Sequence, residues 1–74
     1  MIYMPQGRIS NIVYDRKSGR KKNGSVETIS TGTSYQILEL PQRYSMDDIV
    51  EFKIIDKKNK IAKITRLVKK EYLI

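Results

Sequence analysis

The sequence predicts an all-β domain, a small antiparallel barrel of five strands. Apolar and polar residues alternate with the period of two that marks a half-buried strand, most clearly at Val50, Phe52 and Ile54. The strand-like segments are short, and residues typical of turns separate them. The chain has 74 residues and no cysteine, so one small apolar core must hold it together without disulfides. We therefore expect a single domain over residues 1–74.

The clearest pair of strands covers residues 49–55 and 61–68, with a polar turn between them. This pattern predicts a β-hairpin with one apolar face and one basic face, on which Lys53 and Lys63 point outward. Two strands alone are unstable in water, so earlier residues must cover the apolar face. The predicted earlier strands are residues 7–14, 25–30 and 34–40.

Local irregularities are expected at two places. The alternation slips at residues 12–13, which predicts a bulge or bend in the first strand. In the link 41–48, Ser45 and Asp48 have the spacing of a capped helical turn. The residues expected inside the barrel are Ile9, Val26, Val50, Phe52, Ile54, Ala62 and Ile64, with Tyr35, Ile37 and Leu40 also inward.

Residues 16–24 predict a mobile, strongly basic loop in the first hairpin. The segment combines five positive charges, two glycines and an Asn-Gly pair, which is a strong turn signal. Like charges at this density repel one another and disfavour packing. The loop is therefore either a solvated turn without a partner or a surface that binds an anion.

The net charge of +7 favours a polyanionic partner, because 15 Lys and Arg residues face only eight acidic ones. Excess charge that merely keeps a small protein soluble is the alternative. Nucleic acid is the first candidate partner. An anionic membrane ranks lower, since the sequence contains no amphipathic helix. The residues expected to bind nucleic acid are Arg8, Tyr14, Arg16, Lys17, Arg20, Lys21, Lys22, Lys53 and Lys63.

Tyr14 is the aromatic residue best placed beside the basic loop. Its ring either stacks on a base or lies over the mouth of the barrel.

Several segments resemble the cold-shock domain, an oligonucleotide-binding (OB) type of barrel. Residues 48–54 are similar to that family's fourth strand, G-x-x-V-x-F, and residues 62–64 to its closing A-x-V. Residues 7–9 are similar to its opening G-x-V. The resemblance implies an OB fold, and an SH3-like barrel is the alternative because it shares much of this strand pattern.

The family's aromatic motifs are largely missing from this chain. Its exposed Trp-Phe pair falls on Asn11 and Ile12, and its motifs G-Y-G-F-I and V-F-V-H-F fall on residues 22–26 and 35–39. Each ring that stacks on a base contributes roughly 1–3 kcal/mol. The resemblance therefore implies binding of single-stranded RNA or DNA. Because the aromatic motifs are largely missing, we expect charge to be the main source of affinity and the sequence specificity to be low.

The composition argues against catalysis, because histidine and cysteine, the commonest general base and the best nucleophile, are both absent. We expect no cofactor and no metal, and the adjacent acids Asp47 and Asp48 are interpreted as a helix start. No apolar run approaches the roughly 20 residues that span a bilayer, so a soluble cytoplasmic protein is expected.

The alternative function is a non-catalytic adaptor that docks an acidic partner or pairs at a strand edge. Residues 72–74 follow Lys69 and Lys70 and form an apolar end that is a candidate for docking or self-association.

Overall fold

The computed structural model describes residues 4–70, which form a closed barrel of five strands in the order β1-β2-β3-β5-β4. This architecture confirms the predicted all-β barrel. The strands are β1 (Gln6–Tyr14), β2 (Lys21–Thr28), β3 (Ser34–Ile37), β4 (Ile49–Asp56) and β5 (Ile61–Lys69). Within the described residues there is no helix, and hence none long and apolar enough to cross a bilayer.

One pair of strands departs from the predicted antiparallel arrangement. β3 and β5 are parallel, with Gln36 opposite Ile61 and Ile37 opposite Ala62, whereas the other four pairings are antiparallel. The reason is topological: β4 reverses the chain after β3 and β5 reverses it again, so β5 runs in the direction of β3 when it lies beside it. This strand order is consistent with an OB-type barrel, which is a five-stranded Greek-key structure. An SH3-like barrel shares the strand number.

The predicted core is confirmed. Phe52 is fully buried at its centre, and the Tyr35 ring packs against it with the two centroids 5.6 Å apart. Tyr35 and Ile54 are partly buried against the cluster, while the other predicted positions are buried. Tyr44, in the link between β3 and β4, is also buried, although nothing in the local sequence pattern predicted it.

The link 41–48 is a turn rather than the predicted helical turn. The Ser45 amide donates to Asp48 Oδ2 at 2.8 Å, as a cap would, but the Asp47 amide donates to the Ile9 carbonyl at 2.9 Å. Asp47 has a left-handed φ of 67°, which interrupts a right-handed helix. The end of the link lies beside β1, because hydrogen bonds with Ile9 satisfy the backbone N–H of Asp47 and the backbone C=O of Asp48.

The first hairpin is longer and its turn shorter than predicted. β2 begins at Lys21, so residues 21–24 belong to a strand, and the turn covers only residues 15–20. The Asn-Gly pair therefore lies within β2 and does not form the turn. A Cβ at Gly24 would collide with the carbonyl oxygen of Asn11 on β1. Glycine is needed here for close approach of two strands. The register shifts lie between Ile9 and Asn11 and between Val13 and Tyr14, on either side of the predicted position.

Candidate nucleic-acid interface

Two hairpin ends carry the net positive charge of the chain. Residues 14–22, the first basic hairpin, contain five cations and one carboxylate, and residues 53–63, the second basic hairpin, contain the same numbers. Each hairpin therefore has a net charge of +4, whereas the remaining residues have five cations and six carboxylates. The rest of the protein is nearly neutral, so the positive electrostatic potential is concentrated at these two places.

A polar groove of about 420 Å³ crosses the outer face of β1, β2 and β3 and is bounded by the turn between β4 and β5. Its side chains are mostly neutral hydrogen-bonding groups. They include Asn11, Asn23, Ser25, Gln36, Asn59 and Lys60. The groove connects the two basic hairpins, because Lys60 belongs to the second and the groove residues Val13 and Asn23 lead directly into the first.

The turn of the second basic hairpin is fixed beside β3. The backbone N–H of Gln36 donates to the Lys60 carbonyl at 2.8 Å. The backbone N–H of Asn59 donates to Asp56 Oδ1 at 3.1 Å, and the side-chain Nδ2 of Asn59 donates to Asp56 Oδ2 at 2.8 Å. The side chain and then the backbone amide of Asn59 lower the pKa of Asp56 below its ordinary value. The exposed side chains of Lys57 and Lys58 extend from this turn into solvent.

The turn of the first basic hairpin is organised by Asp15. Its Oδ1 accepts from the backbone amides of Lys17 at 2.8 Å and Ser18 at 3.0 Å, and its carbonyl accepts from Gly19. The turn therefore has fixed hydrogen bonds, whereas its cations point outward. Within the described residues, no carboxylate lies within ion-pair distance of Arg16, Lys17 or Arg20.

Acid is expected to loosen this turn at a pH below the ordinary aspartate range. The backbone amides of Ser18 and Lys17 lower the pKa of Asp15, so its contribution to stability is complete above the ordinary value and disappears as the pH falls through the lowered one. Titration of the Lys17 and Ser18 amide resonances by NMR should report this lowered pKa. Asp15→Asn should abolish the titration, and a midpoint at the ordinary aspartate value would contradict the assignment.

The remaining predicted residues of the first basic hairpin have different environments. Lys21 Nζ donates to the Gln42 carbonyl at 2.7 Å, and the Gln42 side chain bonds to both backbone groups of Lys21. Lys21 therefore ties the hairpin to the link 41–48. Lys22 is exposed. The Tyr14 side chain is 54% exposed.

The structure separates the three strand cations that were predicted to extend the site. Arg8 faces Asp47 at 3.3 Å and Glu27 at 3.9 Å, so its charge is largely neutralised. Lys53 and Lys63 are exposed directly opposite each other on β4 and β5, and neither lines the polar groove. The predicted continuous cationic surface therefore does not include Arg8.

The lysines of the second turn and the neutral residues of the polar groove were not predicted as site residues. Residues 57–60 were interpreted only as a turn, although three of the four are lysines. This density of cations exceeds that of residues 16–24, where five of nine residues are cations, and was a usable signal. No such signal marks Asn11, Asn23 or Gln36, because only strand pairing places them side by side.

Within residues 4–70, no group of three or more acidic, histidine or cysteine side chains is arranged to hold a metal ion. Comparison of the chain with protein-family models, curated proteins and solved structures found no significant match.

Proposed function

We propose that the protein binds single-stranded nucleic acid along the polar groove, mainly by charge and with little sequence specificity. The observation that carries this proposal is that the polar groove adjoins both basic hairpins, whose turns carry six cations: Arg16, Lys17, Arg20, Lys57, Lys58 and Lys60. Cations on either side of a strand neutralise its phosphates and release counterions. The proposed activity is binding, without a chemical step.

The groove chemistry favours a single strand over a duplex. Amides and hydroxyls line the groove, and such groups can bond to the Watson–Crick edges of bases, which are exposed only when the bases are unpaired. Tyr14 is placed at the end of β1, beside the groove residue Val13, where one base can stack on its ring. Charge remains the main contribution to the binding affinity, since few aromatic rings are available to stack on bases.

Removal of three cations from either turn is expected to weaken oligonucleotide binding and its dependence on salt. The first variant replaces Arg16, Lys17 and Arg20 by serine, which spares the hydrogen bonds of Lys21. The second combines Lys57→Ser, Lys58→Ser and Lys60→Asn, since asparagine tolerates the left-handed φ of 55° at residue 60. Each phosphate contact contributes about 0.7 to the slope of log affinity against log salt, so each variant should lower the slope by up to about 2.

The measurement is fluorescence anisotropy with a labelled oligonucleotide of about 12 nucleotides, a length within the range that one OB fold covers. A matched control replaces Lys53, Lys63 and Lys69 by serine, because it removes the same charge from surfaces outside the groove. The control should retain most of the affinity. Equal losses in all three variants would show a diffuse response to net charge, and a wild-type protein that binds no oligonucleotide at low salt would refute the proposal.

A further inference from the structure

The closed barrel has a short hydrogen-bonded ladder on one side, between β3 and β5, which leaves an opening beside it. The ladder that joins them contains two pairs only, and the last is Ile37 with Ala62. β5 continues to Lys69, and among the described residues nothing pairs with its β3-facing edge beyond that point. The backbone N–H of Gln36 donates to the Lys60 carbonyl, so the backbone of residue 60 faces β3. Backbone N–H and C=O groups of alternate residues in a strand point to the same edge, so those of residues 62 and 64 face the same way. Ile64 therefore presents an N–H and a C=O to the opening.

An apolar groove of about 540 Å³ lies at this opening. Core residues, among them Ile37, Leu40 and Ala62, form its floor, and Leu38 and Ile55 stand at its walls. These two wall residues are 54% and 60% exposed, so the groove presents large aliphatic side chains to water. Contiguous exposed apolar surface beside a free strand edge is typical of a site that receives an extended peptide.

The rim of the apolar groove is positively charged. Lys63 lines it, Lys53 lies directly opposite Lys63, and Lys21 Nζ contacts the carbonyl of the groove residue Gln42. Glu39 is the single acidic residue of the lining. Like charges placed opposite each other on neighbouring strands destabilise a sheet, so Lys53 and Lys63 favour an anionic group between them.

We propose that the apolar groove binds an extended segment of a partner protein in which aliphatic and acidic residues alternate. The segment pairs its backbone with the free edge of β5 at Ile64. Its aliphatic side chains enter the groove between Leu38 and Ile55, and its carboxylates face Lys53 and Lys63. This site is separate from the polar groove, so the inference does not depend on binding of nucleic acid.

The test uses a blocked synthetic peptide, Glu-Val-Glu-Ile-Glu-Val-Glu, titrated into the isotopically labelled protein. Resonances of Leu38, Ile55 and Ile64 should shift, and exchange of the Ile64 amide proton should slow on binding. Leu38→Ser should weaken the affinity about tenfold or more, because it removes a large aliphatic contact. Ile29→Ser is the matched control, since Ile29 is similarly exposed (58%) but lies outside the groove.

Two further arms separate shape from charge. A peptide with serine in place of valine and isoleucine keeps the charges, and its affinity should be lower by about tenfold or more. Replacing Lys53 and Lys63 by serine should weaken the original peptide and flatten its salt dependence. Equal affinity for both peptides, unchanged Ile64 exchange, or equal losses in the Leu38 and Ile29 variants would overturn the proposal. Concentration-dependent dimerisation that Leu38→Ser abolishes would overturn it in favour of a second copy of the chain.

Both Leu38→Ser and Ile29→Ser should leave oligonucleotide binding unchanged. Peptide binding should likewise survive replacement of Arg16, Lys17 and Arg20. The two proposals can therefore fail independently.

Discussion

Replacement of Phe52 by alanine is expected to destabilise the protein by about 3–5 kcal/mol. The ring is fully buried, packs against Tyr35 and is the largest apolar side chain at the centre of the barrel. Its removal forfeits the transfer free energy of the ring and leaves a cavity, which the surrounding barrel can only partly collapse to fill. A small domain has a net stability of only about 5–15 kcal/mol, so the variant should be close to unfolding at room temperature.

Chemical denaturation followed by circular dichroism measures this loss, and Ile55→Ala on the same strand is the control. Ile55 is exposed, so its truncation should change the free energy of unfolding by less than about 0.5 kcal/mol. Similar midpoints for the Phe52 variant and the wild type would refute the assigned core.

Replacement of Asp48 by alanine should cost about 3 kcal/mol or more, although no apolar contact is lost. Asp48 is fully buried (0% exposed), and its Oδ2 accepts from Lys70 Nζ at 2.7 Å and from the Ser45 amide at 2.8 Å. Removal of one partner from a buried ion pair takes away the Coulombic gain but leaves the other group desolvated. The Lys70 ammonium, on a side chain only 16% exposed, would retain its bond to the Arg43 carbonyl but lose this carboxylate.

Asp47→Asn provides the matched control for the Asp48 variant. Asparagine tolerates the left-handed backbone at residue 47, and the exposed contact with Arg8 contributes at most about 1 kcal/mol. The double variant Asp48→Ala with Lys70→Met should recover part of the loss, because it removes both charges. Equal losses in the free energy of unfolding for Asp48→Ala and Asp47→Asn would show that the buried ion pair of Asp48 and Lys70 does not stabilise the fold.

The two proposed sites explain different groups of cations. Arg16, Lys17, Arg20 and the lysines of residues 57–60 belong to the two turns of the hairpins that adjoin the polar groove, and the first proposal assigns them to phosphates. Lys53 and Lys63 lie beside the apolar groove on another face. The high net charge therefore serves two surfaces in this interpretation, and each has its own set of variants.

Local pattern was sufficient for the strands and most of the core. Val50, Phe52 and Ile54 alternate with polar residues, and a strand places such residues on one face whatever its neighbours are. Alternation likewise predicts that Ile9, Val26 and Ile64 point inward. At residues 21–24 the composition is typical of a turn, but these residues pair with β1, and Gly24 is required by the closeness of Asn11 rather than by a turn.

The sequence by itself thus determined a five-stranded barrel, its apolar interior and an excess of positive charge around the first turn. Only the tertiary structure decided that β3 lies parallel to β5, that Arg8 faces Glu27 and Asp47, and that the turn 57–60 borders a groove with β1–β3. It alone also decided that Tyr44 and Asp48 are buried in a link without periodicity. The physical reason is that alternation records which face of its own strand a residue occupies, whereas charge pairing, groove lining and burial of a link depend on residues distant in the chain.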